Sequence, residues 1–203
     1  MKKWMSLFDL CPIRPSGQKE RAARITAMSY LRDCQDKDQR MEKQLLNTGE
    51  YILLRGKDSY NGLLQRVETN PVSRITGRAI MDLYNSVPKS HRKNAVFLMN
   101  TVTLNELSRS LGMDRNLLSG RDDGTFMLMD QPIVLCNAMP FISKGSVPIL
   151  FGDFGKVSIE DCGRDELQQE PCEGNPGTQQ YTLTGYMDCM LEEQLAVRGI
   201  KVV

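Results

Sequence analysis

Val147-Pro148-Ile149-Leu150-Phe151-Gly152-Asp153-Phe154-Gly155-Lys156-Val157-Ser158-Ile159 reads as an apolar strand, a sharp turn and a second strand. The first apolar run is too short for a helix and ends on turn chemistry, Gly152-Asp153, where an Asp side chain accepts from nearby backbone N–H groups. Two further apolar runs share its character. Ala95-Val96-Phe97-Leu98-Met99-Asn100 is bounded by polar residues and predicts a buried strand, and Pro132 to Ala138 predicts another.

Helical spacing surrounds these strands. Met28, Leu31, Cys34, Met41, Leu45 and Leu46 fall mostly three and four residues apart, and Ile52 to Leu54 continue the face past Gly49. The pattern predicts one helix from about Ala27 to Leu54, roughly 40 Å long at 1.5 Å per residue, stopped at Gly56. Leu63 to Val67 reads as a short strand. Thr76 caps a second helix that carries Ile80, Leu83 and Tyr84 and ends before Pro88. Thr101 or Thr103 caps a third, with Leu104, Leu107 and Leu111 inward and Gly112 closing it. Glu170 to Gly177 reads as a flexible loop, Tyr181 to Leu191 as a strand, and Ile200 to Val203 as a last strand. Helices mixed with non-alternating strands indicate an α+β fold.

Composition narrows the function. With 26 Lys and Arg against 25 Asp and Glu, the net charge is +1, so any contact with nucleic acid requires a local patch. No apolar run has the ~18 residues of a membrane span. The start Met1-Lys2-Lys3 is basic, but Asp9, Pro12 and Arg14 break the apolar run after it, which argues against a signal peptide and for the cytoplasm. The six cysteines form no C-x-x-C pair and His91 is the sole histidine, so no metal site is expected. Phosphate-loop, dinucleotide, zinc-protease and nucleophile-elbow motifs are absent. His91 lies in the basic run Lys89-Ser90-His91-Arg92-Lys93, read as solvated and without an orienting carboxylate. Arg66, Arg74 and Arg78 read as surface charge. No catalytic residue, cofactor or metal is assigned.

The order of segments resembles that of tailed-phage major capsid proteins, which share the Hong Kong 97-type capsid fold with encapsulins. Leu53-Leu54-Arg55-Gly56-Lys57 resembles the end of the capsid spine helix, and Gly62-Leu63-Leu64 the glycine-led strand after it. Ile75-Thr76 to Val87-Pro88 resembles the helix that opens the axial domain. The run ending in Met99-Asn100, followed by Thr103-Leu104, resembles the junction of an apolar strand and a helix. Gln131-Pro132-Ile133-Val134 resembles a Gly-Pro-Val element with Gln131 in place of the glycine, and Phe151-Gly152-Asp153-Phe154 closes the series.

The resemblance implies a short N-terminal arm over residues 1–25, a peripheral domain with the spine helix over 26–74, an axial domain over 75–148, and returning strands over 149–203. Trp4, Leu7 and Phe8 are candidates for an apolar anchor on this or a neighbouring subunit. About 25 residues precede the predicted helix, whereas family members carry a long arm and an extended two-stranded loop, so the resemblance is to a version shortened at the N-terminus. It implies a non-enzymatic virion capsid subunit that forms pentamers and hexamers of an icosahedral shell around DNA after assembly in the host cytoplasm. Scaffold, protease and portal proteins of the same phage are the implied partners, with non-specific double-stranded DNA contact and no membrane. The alternatives are a capsid-derived remnant that joins or disturbs another phage's shell, and an encapsulin-like compartment.

Overall fold

The computed structural model describes residues 6–18, 22–32, 36–110, 117–120, 125–172 and 178–203. Among the described residues six α-helical segments, α1 (Leu7–Leu10), α2 (Lys37–Arg55), α3 (Leu63–Arg66), α4 (Gly77–Ser86), α5 (Lys89–Arg92) and α6 (Thr101–Ser110), and a 3-10 turn (Phe154–Lys156) accompany twelve strands. The strands are β1 (Ile13–Pro15), β2 (Ala23–Arg32), β3 (Glu68–Val72), β4 (Val96–Met99), β5 (Leu118–Gly120), β6 (Phe126–Leu128), β7 (Gln131–Leu135), β8 (Ile149–Gly152), β9 (Val157–Arg164), β10 (Gln168–Pro171), β11 (Thr178–Leu191) and β12 (Val197–Val202). They form two sheets, consistent with the expected α+β class.

The seven-stranded sheet runs β3-β12-β8-β4-β7-β6-β5. Its centre is the antiparallel pair β8 and β4, in register Phe97↔Phe151 and Leu98↔Leu150. The pleat sends Phe97, Met99, Ile149 and Phe151 to one face and Leu98 and Leu150 to the other. On the first face they join Ile80 and Leu83 of α4 and Leu104 and Leu107 of α6 in one core cluster. Phe97 and Phe151 stack there at 4.3 Å, with Tyr84 at 5.4 Å from Phe151. On the second face Leu98 and Leu150 belong to a core with Ile52, Leu53 and Leu54 of α2. A sheet covered on both sides needs apolar residues at successive positions, which is the pattern of its central strands. Pro71 sits in β3, an edge strand, where a missing N–H costs no ladder bond.

The five-stranded sheet runs β1-β9-β11-β10, with β2 also paired to β11. Helix α2 lies against β2 and β11. Gly49 of the helix sits where a Cβ would lie 3.2 Å from Ile25 Cδ1, and a Cβ on Gly185 of β11 would lie 2.8 Å from Leu45 Cδ2. Two glycines thus let helix and sheet approach closely. The long helix expected from Ala27 begins ten residues later, at Lys37. Residues 23–32 instead form β2, in register Ala27↔Leu183 and Ile25↔Gly185 on β11. Buried Ala23, Ile25 and Ala27 alternate with exposed Arg24, Thr26 and Met28. That is the period of a half-buried strand, and the three- and four-residue spacings of Met28 and Leu31 concealed it.

Other expectations shift locally. Leu63 to Arg66 is a helical turn, not a strand, and the strand follows it as β3. That strand pairs with β12 in the seven-stranded sheet. Leu7 is fully buried in its own chain's core, with Phe8 packed against that core. The Leu7 N–H donates to Glu50 Oε1 of α2 at 2.5 Å. Trp4, Cys34, Leu111, Gly112 and residues 173–177 lie outside the described residues.

Candidate structural site at the joint of the two sheets

Gly56, Gly62, Gly152, Asp153 and Phe154 lie where the chain passes between its sheets, while Met99, Asn100, Pro132 and Phe151 lie within the seven-stranded sheet and its connection to α6. The end of α2 is the first such point. Gly56 has φ of 77°, and a Cβ there would meet the Tyr60 carbonyl oxygen at 2.6 Å. A Cβ on Gly62 would lie 2.4 Å from the Gly56 nitrogen. Neither position tolerates a side chain without backbone movement, so the loop from Gly56 to Gly62 closes tightly on the helix end. Gly152 is the corresponding point on β8, where a Cβ would sit 2.1 Å from the Ala196 carbonyl oxygen. Asp153 follows, and its Oδ1 accepts from the Gly155 N–H at 3.0 Å, as the turn reading predicts. Phe154 is buried in the core beneath α2.

Asn100 ties three segments together. Its Oδ1 accepts from the Thr103 N–H at 2.7 Å, while its Nδ2 donates to the carbonyls of Met139 at 3.0 Å and Pro140 at 2.7 Å. The cap of α6 is therefore Asn100, not Thr101 or Thr103. An Asn serves better because its carbonyl caps the helix while its amide secures the loop after β7. Met99 beside it is fully buried. Pro132 lies opposite Met127 in the β6–β7 pair. With its amide nitrogen turned inward, Gln131 donates to the Ala95 carbonyl at 2.9 Å and the Arg92 carbonyl at 3.3 Å. A glycine there would supply no such tether.

Two polar clusters escaped the sequence reading. In the first, Asp188 of β11 is buried, and its Oδ1 accepts from Arg66 at 2.9 Å, Tyr60 Oη at 3.0 Å and the Cys189 N–H at 2.7 Å. Arg66 also donates through Nε to the Asn61 carbonyl at 2.7 Å and through Nη1 to the Cys189 carbonyl. Arg66 is thus an internal ion-pair partner rather than surface charge. Burial, followed by the Asp188 charge, pushes the Tyr60 hydroxyl well above its ordinary value. Burial likewise pushes the Cys189 thiol up to about 12. The only advance signal was one acid, Asp188, inside a long strand pattern.

In the second cluster, Glu193 lies in the turn between β11 and β12. Its Oε1 pairs with Lys156 Nζ at 2.6 Å and its Oε2 lies 3.3 Å from His91 Nε2. His91 therefore has a carboxylate neighbour and is mostly covered, with 13% of its side chain exposed. The hydrogen bond from Lys156 holds the Glu193 carboxyl below its usual value. Two of the crossings between the sheets, 153–156 and 192–196, run side by side here. They are linked by the Asp153 N–H to the Ala196 carbonyl and the Glu192 N–H to the Lys156 carbonyl, each at 2.9 Å.

This joint organises structure. Among the described residues no group of three His, Cys, Asp or Glu side chains could hold a metal ion, and no helix is long and apolar enough to cross a membrane. Asp153 and His91 serve separate ties: Asp153 turns the chain and His91 faces Glu193.

Known proteins match this arrangement. A family model described as the phage capsid family matches residues 38–192, from the first turn of α2 through the end of β11. The capsid of an empty GTA particle is similar in structure, with a TM-score of 0.65 at 15% identity over 97% of this chain and 89% of the other. The SrpI encapsulin of Synechococcus elongatus PCC 7942 has a TM-score of 0.66 at 14% identity, over 97% and 86%. A Gordonia phage Cozz chain has a TM-score of 0.55 at 10% identity, over 89% and 70%. No curated protein sequence matches the chain. At these identities the solved structures speak for the fold, while the family model, spanning more than half of the chain, speaks for kinship: the chain belongs to the phage capsid family.

Proposed function

We propose that the protein is a structural subunit of a phage or prophage capsid, which self-assembles through pentamers and hexamers into a closed shell around DNA. The observation that carries this reading is the capsid-family match over residues 38–192, which takes in nearly all of α2, the strands β9, β10 and β11 of the five-stranded sheet, and every strand of the seven-stranded one but β12. In this reading α2 is the spine helix. It and the five-stranded sheet form the peripheral domain, and the seven-stranded sheet with α4 and α6 forms the axial domain. Residues 149–203 supply strands to both.

The polar side chains of the joint are committed to structural ties, which supports a non-enzymatic role. Large apolar side chains remain uncovered in the single subunit. Met28 and Tyr30 on β2 are 51% and 60% exposed, and Phe141 is 59% exposed. Neighbouring subunits would cover such groups. Scaffold, protease and portal proteins of the same phage are the further partners of this reading, with assembly in the host cytoplasm before the subunit resides in the virion.

The encapsulin likeness favours one alternative, a compartment that holds protein cargo. Particles purified from an expressing cell separate the two. After nuclease treatment, phenol extraction recovers protected double-stranded DNA from a phage shell. Recovery of a stoichiometric protein and no DNA would replace the proposal with the compartment reading.

A further inference from the structure

A concavity opens beside the end of α2. Between the end of α2, the turn α3, the strands β3 and β12 and the loop before β8 lies a cavity of about 430 Å3. Arg55, Gln65, Thr69, Ser146 and Lys201 are its polar lining, and among the described residues no carboxylate lines it. Two cations with no counter-charge in one concavity make an anion site by elementary electrostatics.

The two cations differ in their preparation. Arg55 is held in place, since its Nε donates to the Ala138 carbonyl at 2.7 Å and its guanidinium lies 4.2 Å from the Tyr51 ring centroid. Its terminal nitrogens make no hydrogen bond among the described residues, so a planar fork stays available. Lys201 projects from β12 on the face that carries Gly199, and it forms no ion pair among the described residues. The carbonyl end of α2 would oppose an anion. That effect is blunted, because Gln65 Nε2 donates to the Arg55 carbonyl at 2.5 Å and the Gly56 N–H caps the Ile52 carbonyl at 2.8 Å.

We propose that this cavity binds a phosphate group, held by the Arg55 fork and the Lys201 ammonium. An arginine fork with a lysine point charge suits a tetrahedral oxyanion with several oxygens, and two positive charges balance a phosphate. The phosphate has two possible sources, a free ion or the backbone of nucleic acid. The site itself does not depend on the shell reading.

The test titrates the full-length protein with inorganic phosphate at constant ionic strength set with chloride, followed by calorimetry. Wild type binds saturably. Lys201→Met weakens binding at least about tenfold, the effect of removing one charge-assisted contact. Arg55→Lys, which keeps the charge and loses the fork, weakens it less. Lys93→Met, an exposed cation outside the cavity, leaves it unchanged. Competition by a short DNA duplex assigns the phosphate to nucleic acid, and its failure to compete assigns a free ion. Absence of saturable binding, or an equal loss in Lys93→Met, overturns the proposal. Lys201 is exposed, so unaltered thermal melting of Lys201→Met accompanies a genuine loss of binding.

Discussion

The two sheets bury their residues by different rules. The centre of the seven-stranded sheet is enclosed on both faces, by α4 and α6 on one side and the end of α2 on the other. In the five-stranded sheet, β2 has one face against α2 and the other open, so Ile25 is fully buried while Tyr30 is 60% exposed. A residue's position along the chain therefore matters little in β8 and decisively in β2. The second sheet carries, on β2, an apolar face that its own chain leaves uncovered.

The largest consequence concerns the enclosed sheet. Replacing Phe151 with Ala should cost about 3–5 kcal/mol, because a fully buried ring that stacks on Phe97 and Tyr84 leaves a cavity. Thermal or urea melts of the two proteins measure it. A neutral result would mean that β8 is not enclosed on both sides.

Asp188→Ala comes next and sharpens the comparison from the other sheet. It leaves Arg66 and the Tyr60 hydroxyl without their shared acceptor, at about 1–3 kcal/mol. Arg66 keeps 27% of its side chain exposed, so water recovers part of the loss. The double change Asp188→Ala with Arg66→Met should cost less than the sum of the single changes.

Each sheet also carries a thiol report. Burial pushes the thiols of Cys136, just after β7, and Cys189, in β11, up to about 12 from 9.0. The unfolded chain therefore ionises these thiols first as pH rises. Their contribution to stability is whole below pH 9, and is lost as pH climbs from there toward 12. Denaturation midpoints should fall over that window, and Cys136→Ser with Cys189→Ser should flatten the fall. Iodoacetamide at pH 8 should label neither residue until the protein is unfolded. Rapid native labelling of either would contradict the burial described.

The smallest effect is expected on the open face of β2. Met28→Ser should shift the stability of an isolated subunit by no more than about 0.5 kcal/mol. The same change should impair assembly if that face meets a neighbour, which analytical ultracentrifugation would detect. A large loss of subunit stability would show that β2 is covered within the chain.

This difference between sheets also sets what could be read from sequence. Apolar runs such as Val96 to Met99 and Ile149 to Phe151 signal a strand in themselves, and the turn at Gly152-Asp153 fixes where β8 ends. The half-buried β2 was misread because Met28, on its exposed face, and the partly buried Leu31 are large and apolar. They supplied helical spacings that the buried Ala23, Ile25 and Ala27 were too slight to contest. In the joint, Gly56 was legible as the helix stop because its φ of 77° favours glycine, whereas the cap role of Asn100 was hidden beside two threonines that are equally ordinary caps. Asp188 and Glu193 were hidden as well. Their roles come from partners 122 and 102 residues away, Arg66 and His91, which no local pattern connects.

The shell itself is tested most directly by the mass of the purified protein in solution, measured by light scattering with negative-stain microscopy on the same sample. The account predicts closed particles of megadalton mass built from the 23.0 kDa chain. A monodisperse monomer that persists at high concentration would contradict it.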